Sequence, residues 1–164
     1  MESLDYLCKK FSVGPAFSKR QRYPIPIDNF NRIDLAKLFD ELEFKIGVEV
    51  GVERGRYSAI LCKEIPGVVL YGVDPWETYD GYIDYRDQQQ LNDFYEMAME
   101  RMKKFPKFTP IKEYSVQASK RFVDGSLDFV YLDGNHMLQM VIEDLNIWIP
   151  KLRVGGIISG HDYV

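Results

Sequence analysis

Lys45-Ile46-Gly47-Val48-Glu49-Val50-Gly51-Val52-Glu53-Arg54-Gly55-Arg56-Tyr57-Ser58 is the stretch that decides how this chain folds. It reads as an apolar strand running into a glycine turn, followed by a helix that opens at Arg56, Tyr57 or Ser58. Glycines at 51 and 55 let the backbone turn sharply and approach a ligand closely, and the helix start offers unpaired N–H groups to an anion. About twenty residues beyond the turn, a second strand, Val68 to Val73, ends on Asp74, where a nucleotide-binding βαβ unit places its ribose-binding carboxylate. Turn and carboxylate together predict a nucleoside cofactor.

At 164 residues the chain makes one domain, residues 31–164, preceded by an irregular arm over residues 1–30. Its net charge of -4 argues against nucleic acid as a partner, because phosphate-backbone affinity needs surplus Lys and Arg. The clusters Lys19-Arg20-Gln21-Arg22 and Arg101-Met102-Lys103-Lys104 read as solvated surface. Cys8 and Cys62 lie far apart without metal-ligand spacing, so neither a disulfide framework nor a zinc site is expected, and Cys62 reads as a small buried residue. Met1 to Lys10 carries acids and lysines and no long apolar run, so no secretory signal and no membrane partner are expected, and a cytoplasmic location is the default.

The arm holds Pro15, Pro24 and Pro26 with one short helix near its start, and its Phe11, Phe17, Arg20, Arg22 and Tyr23 read as packing residues. Asn31 or Asp34 caps a helix through about Leu42, with Ile33, Leu35, Leu38, Phe39 and Leu42 mostly on one face. After the glycine turn come a helix from Tyr57 to Glu64, the second strand, and a loop from Pro75 to Arg86 crowded with aromatics and acids. A long helix follows from about Gln88 to Lys104. The third strand is expected from Phe108 to Tyr114, ending at Ser115, with a short helix from Val116 to Phe122. The fourth strand, Leu127 to Leu132, ends on Asp133. A helix after Gly134-Asn135-His136 runs to about Ile149 and is stopped by Pro150, its apolar face being Leu138, Val141, Ile142, Leu145, Trp148 and Ile149. Val154-Gly155-Gly156 is expected as a turn into a fifth strand, Ile157 to Gly160, before His161-Asp162-Tyr163-Val164.

Such alternation predicts an α/β fold, a doubly wound parallel sheet with helices on both faces. Its carboxyl edge gathers Glu49, Gly51, Asp74, Ser115, Asp133 and Asp162. Three strands that end on aspartate form a chemical pattern for which packing alone gives no reason.

The series Glu49-Val50-Gly51-x-x-x-Gly55, Gly72-Val73-Asp74, Ser126 to His136, and Gly155-Gly156-Ile157-Ile158-Ser159-Gly160-His161-Asp162-Tyr163 resembles the class I S-adenosylmethionine-dependent methyltransferases over residues 31–164. Within them it resembles the small-molecule O-methyltransferases of the macrocin and catechol type. The resemblance implies a Rossmann-like sheet of order 3-2-1-4-5. It implies that the Glu49 to Gly55 turn holds the methionyl end of S-adenosylmethionine, that Asp74 takes the two ribose hydroxyls, and that Tyr114 and Ser115 contact the adenine, with Trp76 as an apolar wall. Asp133 and Asp162 correspond to carboxylates that hold Mg²⁺ in metal-dependent members, with His161 as a further ligand and His136 as general base.

The chain departs from that pattern in three places. Tyr163 replaces an amide ligand, and Glu53 stands where many members have a third glycine, placing a carboxylate near the cofactor. The family's sheet continues with a sixth and a seventh strand that are absent here, so either the chain is shortened or the edge of strand five is covered by another subunit in a homo-oligomer. The function expected is methyl transfer to a hydroxyl of a small-molecule acceptor, a sugar or a catechol-like compound. A dinucleotide-dependent oxidoreductase is disfavoured because Gly51-Val52-Glu53 lacks the Gly-x-Gly-x-x-Gly spacing. A non-catalytic cofactor-binding or interaction domain is the remaining alternative.

Overall fold

A computed structural model describes residues 3–13, 27–79 and 87–161. Most of the proline-bearing arm (14–26), residues 80–86 of the aromatic loop, and Asp162, Tyr163 and Val164 lie outside the described residues. In order, the elements are α1 (Ser3–Lys10), α2 (Arg32–Glu41), β1 (Ile46–Val50), α3 (Arg56–Glu64), β2 (Val69–Val73), α4 (Gln88–Met102), β3 (Phe108–Ile111), α5 (Ser115–Ser119), β4 (Leu127–Leu132), α6 (Leu138–Trp148) and β5 (Leu152–Gly160). All five strands are parallel, in the expected order β3-β2-β1-β4-β5.

Local chemistry accounts for the boundaries. Asn31 and Asp34 form a reciprocal capping box at the start of α2, and Asp87 caps α4 through the Gln90 amide at 2.8 Å. Tyr6 and Lys10 of α1 both reach Glu41 at the far end of α2, which fastens the arm's helix to the domain. β1 sits at the centre of the sheet and buries residues on both faces. On one side α2 and α3 pack Phe39, Phe44, Tyr57 and Leu61 onto Phe129 and Tyr131. On the other, α5 and α6 pack Ala118 and Trp148 onto Val48, Val50 and Val130. Phe129 stacks on Phe39 at 4.5 Å and lies over Gly47, where a Cβ would collide with its ring. Asp128 ties the lower ends of three strands, accepting the Lys45 and Ile46 amides at 2.7 and 2.8 Å and the Arg153 guanidinium at 2.5 Å.

Three expectations are corrected. The third strand ends at Ile111, not Tyr114: it is an edge strand, Pro110 gives it no donor there, and the chain turns at once so that Tyr114 caps α5. Val154-Gly155-Gly156 is not a turn but a bulge within β5, since a step of two residues from Leu127 to Phe129 is matched by five from Leu152 to Ile157. On α6 the inward stripe is Val141, Asp144, Leu145 and Trp148, while Leu138, Ile142 and Ile149 of the expected apolar face are exposed. Replacing Phe129 by Ala is expected to cost about 3–5 kcal/mol, read as a lowered urea midpoint, whereas Leu138→Ala stays within about 0.5 kcal/mol.

Candidate functional site

At the carboxyl ends of β1, β2 and β4 the backbone is drawn together tightly. The Gly51 amide donates to Val73 O at 2.9 Å and the Asp133 amide to Val50 O at 2.7 Å. Gly51 has φ 91° and lies so close to the Asp133 carbonyl that a Cβ there would collide with it. Asp74 locks the turn: one carboxylate oxygen accepts the Val52 and Glu53 amides at 3.1 and 2.9 Å, the other the Trp76 amide at 2.8 Å. Burial raises its carboxyl above the usual range, and the three amides oppose that rise. Glu53, at the position of the family's third glycine, adopts the left-handed backbone a glycine would take, with φ 51°.

Above this latch lies a cavity of about 300 Å³, of the size that takes a small ligand. Of the residues expected to bind a cofactor, Gly51, Glu53, Asp74, Trp76, Tyr114, Ser115 and Asp133 line it. Trp76 is also a strut, almost fully buried, its indole nitrogen donating to Glu53 O at 2.8 Å and its ring edge-on to Tyr95. Glu49 and Gly55 are not in the wall. Gly55 packs against Ala98 of α4 as the left-handed residue that opens α3, so its role is close helix packing. Glu49 points into the protein interior, where it accepts from the Ser58 hydroxyl, and burial pushes its carboxyl up to about 8.

Asp133 has an arginine on one side and two histidines on the other. Arg32 Nη1 stands 3.4 Å from one oxygen, and His161 Nδ1 and His136 Nε2 stand 3.7 and 3.9 Å from the other. Arg32 itself lies over the Tyr57 ring. Asp162, expected as the second metal carboxylate, lies outside the described residues. Among the described residues no group of three or more His, Cys, Asp or Glu side chains could hold a metal ion. Among the described residues, one carboxylate flanked by a guanidinium and two imidazoles does not fit Mg²⁺, which selects oxygen donors. Across the mouth, Asn135 Nδ2 donates to the Tyr79 hydroxyl at 2.8 Å, and the Tyr79 and Tyr114 rings meet edge-on.

Two residues of this site were missed in the sequence. Arg32 looks like an ordinary first-turn residue of α2, and nothing local signals its reach to Asp133 across 101 positions. Asp144 lines the cavity and accepts from the Ser115 hydroxyl, which in turn accepts from Trp148 Nε1 at 2.8 Å. Burial raises the Asp144 carboxyl, opposed by the Ser115 hydroxyl. Its spacing from Val141 and Trp148 places it on the buried stripe of α6, a signal that was available.

A family model described as a methyltransferase domain matches residues 48–163. No curated protein matches the chain. Among solved structures, a Staphylococcus aureus protein assigned as a caffeoyl-CoA O-methyltransferase is 15% identical at a TM-score of 0.59, with 97% of this chain and 66% of that one covered. A Klebsiella pneumoniae protein assigned as an O-methyltransferase is 15% identical at 0.60, with coverages of 96% and 70%. A cofactor-bound protein from MTB is 13% identical at 0.54, with coverages of 82% and 56%. The chain thus spans 66% and 56% of the S. aureus and MTB proteins, and at these identities the likeness is one of fold. No helix among the described residues is long and apolar enough to cross a membrane.

The buried Glu49 makes stability depend on pH. Its folded value of about 8 stands above the ordinary 4.5, so the folded chain holds the extra proton between them and stability falls as pH rises through that window. Glu49→Gln is expected to flatten this decline, which urea midpoints measured from about pH 5 to about pH 9 will show.

Proposed function

The chain belongs to the methyltransferase domain family, and from that premise we propose that it transfers a methyl group from S-adenosylmethionine to a hydroxyl of a small molecule, a sugar or a catechol-like acceptor. The observation that carries this reading is the cavity at the carboxyl ends of β1, β2 and β4, with Gly51, Asp74 and Asp133 on one wall and Tyr114 and Ser115 on another. Gly51 lines the cavity without a side chain, which suits a ligand that lies against backbone, and Asp74 suits a diol.

The bound sulfonium supplies the methyl group, the carbon–sulfur bond breaking as a carbon–oxygen bond to the acceptor forms. The protein's part is to hold the acceptor oxygen in line and to take its proton. His136, partly exposed beside Asp133 and next in the chain to the cavity residue Asn135, is the base, and Asp133 steadies the imidazolium that results. Arg32 reaches Asp133 from the other side and holds it in place. No step is assigned to a metal, because the described donors do not fit Mg²⁺. Specificity for the acceptor comes from Tyr79, Asn135 and the remainder of the aromatic loop after Asp74.

Calorimetric titration with S-adenosylhomocysteine tests the binding half: heat is expected with that ligand and none with NAD(H), while binding of NAD(H) alone returns the site to the oxidoreductases. Asp74→Ala is expected to weaken S-adenosylhomocysteine by about tenfold or more, the scale of a lost charged hydrogen bond. Turnover is tested with catechols and sugars as acceptors, where His136→Ala should lower kcat by roughly 10²–10⁴ without weakening the cofactor. An unchanged rate removes His136 from the mechanism.

A further inference from the structure

Away from the cavity, two features meet on one side of the molecule. β5 closes the sheet, paired on one side with β4 and on the other with no described strand. None of its nine residues is fully buried, whereas four of the five in β1 are. The His161 amide donates to Leu132 O at 3.1 Å, so by alternation along a strand Ile157 and Ser159 turn their backbone groups to β4, and Ile158 and Gly160 turn theirs outward. α1 approaches the strand near its bulge, where Ser3 stands beside Gly155.

The second feature is the outer flank of α6. At 3.6 residues per turn, Leu138, Ile142 and Ile149 line up on one side of the inward stripe of Val141, Leu145 and Trp148. Asp144, which meets Ser115 of α5, lies on the other side of that stripe. The flank is therefore turned away from α5 and toward the open side of β5. Leu138, Ile142 and Ile149 are 75%, 49% and 51% exposed, and Val154 in the bulge of β5 is 94% exposed. A row of exposed apolar side chains beside an unpaired strand edge marks a protein interface.

What covers this face must bring a strand to pair and an uncharged apolar flank beside it. Met137 to Ile142 and Leu145 to Pro150 contain no charged side chain, and Glu143 and Asp144 between them line the cavity. The one charge in β5, Arg153, is taken up by Asp128. A charged partner would lose water there and gain no counter-charge. A second copy of this chain meets both demands: its net charge of -4 repels its twin elsewhere but is not carried by this flank. We propose that two copies pair β5 with β5, antiparallel, across a two-fold axis normal to the sheet. Such an axis reverses the strand, keeps both α6 helices on one face with their apolar flanks together, and closes after two copies. Nine residues of strand span about 30 Å, and with the helix flank they offer on the order of 500 Å² per copy, the low end of specific interfaces, so association in the micromolar range is expected.

Sedimentation equilibrium of the full 164-residue chain, across a concentration series through the micromolar range, tests this. A monomer–dimer equilibrium without larger species is expected. In the same samples, residue-resolved hydrogen exchange should show the Ile158 and Gly160 amides slowing by about tenfold or more as the dimer forms. Leu138→Glu combined with Ile142→Glu puts like charges across the axis at two exposed positions and should weaken association by about a hundredfold or more, with the melting temperature unchanged. A chain that stays monomeric throughout the series overturns the proposal, as does open-ended association. A dimer whose Ile158 and Gly160 amides exchange as fast as in the monomer overturns it too, because the contact then lies elsewhere. These wild-type readings decide the matter even if the double variant folds poorly.

Discussion

One carboxylate, Asp74, holds the rim of the cavity in shape. The turn after β1 carries positive φ at Gly51, Glu53 and Gly55, and Trp76 adds a fourth such residue beyond β2. A chain bent in this way cannot pair its amides in a helix or a ladder, and near the core those amides would lose water without replacement. Asp74 takes three of them, from the ends of both β1 and β2, and so converts two unrelated bends into one rigid corner. Amide hydrogen bonds of this kind contribute about 0.5–1.5 kcal/mol each, so three together offset the roughly 1–2 kcal/mol that left-handed backbone costs at a residue such as Glu53 or Trp76.

From that corner the remaining parts of the site follow by packing. Trp76 fills the space under the turn and returns a hydrogen bond to Glu53, and its ring joins Val52, Leu91, Phe94 and Ala98 in the small core that seats α4. Arg54 lies over the Phe94 ring and its carbonyl accepts from Arg101, so the loop is held from α4 as well. On the opposite wall the Trp148–Ser115–Asp144 chain links α5 to α6. The two walls are thus built from separate cores, and the gap between them is the cavity.

Most of the fold was legible in the sequence because its signals are local. Apolar runs, the glycines at 51 and 55, and Asn31 with Asp34 mark strands, turn and cap within a few residues of one another, and the family's motif order supplied the strand order. What escaped depends on tertiary placement. Glu49 has the same strand pattern whether it faces a ligand or Ser58, and only the packing of α3 turns it inward. Gly155 and Gly156 spell a turn and a bulge equally well, the choice resting on the ladder with β4. The apolar periodicity of α6 was read as its buried face because Asp144 was counted as polar, when pairing with Ser115 made it part of the interior. Arg32 entered the site through a contact that no window of sequence contains.

The central strand has its two neighbours at very different distances along the chain. β2 follows β1 closely, but β4 lies beyond β3, and the Lys45 amide waits for Asp128, 83 positions later. Every ladder among the described residues is parallel, so no hairpin among them can nucleate the sheet, and closing the loop that brings β4 beside β1 must precede the rewards of that contact. During synthesis the β1 edge that receives β4 stays open until β4 itself has left the ribosome. Folding of this protein is therefore placed in the slow, high-contact-order regime, and its vulnerable interval is the one before β4 arrives.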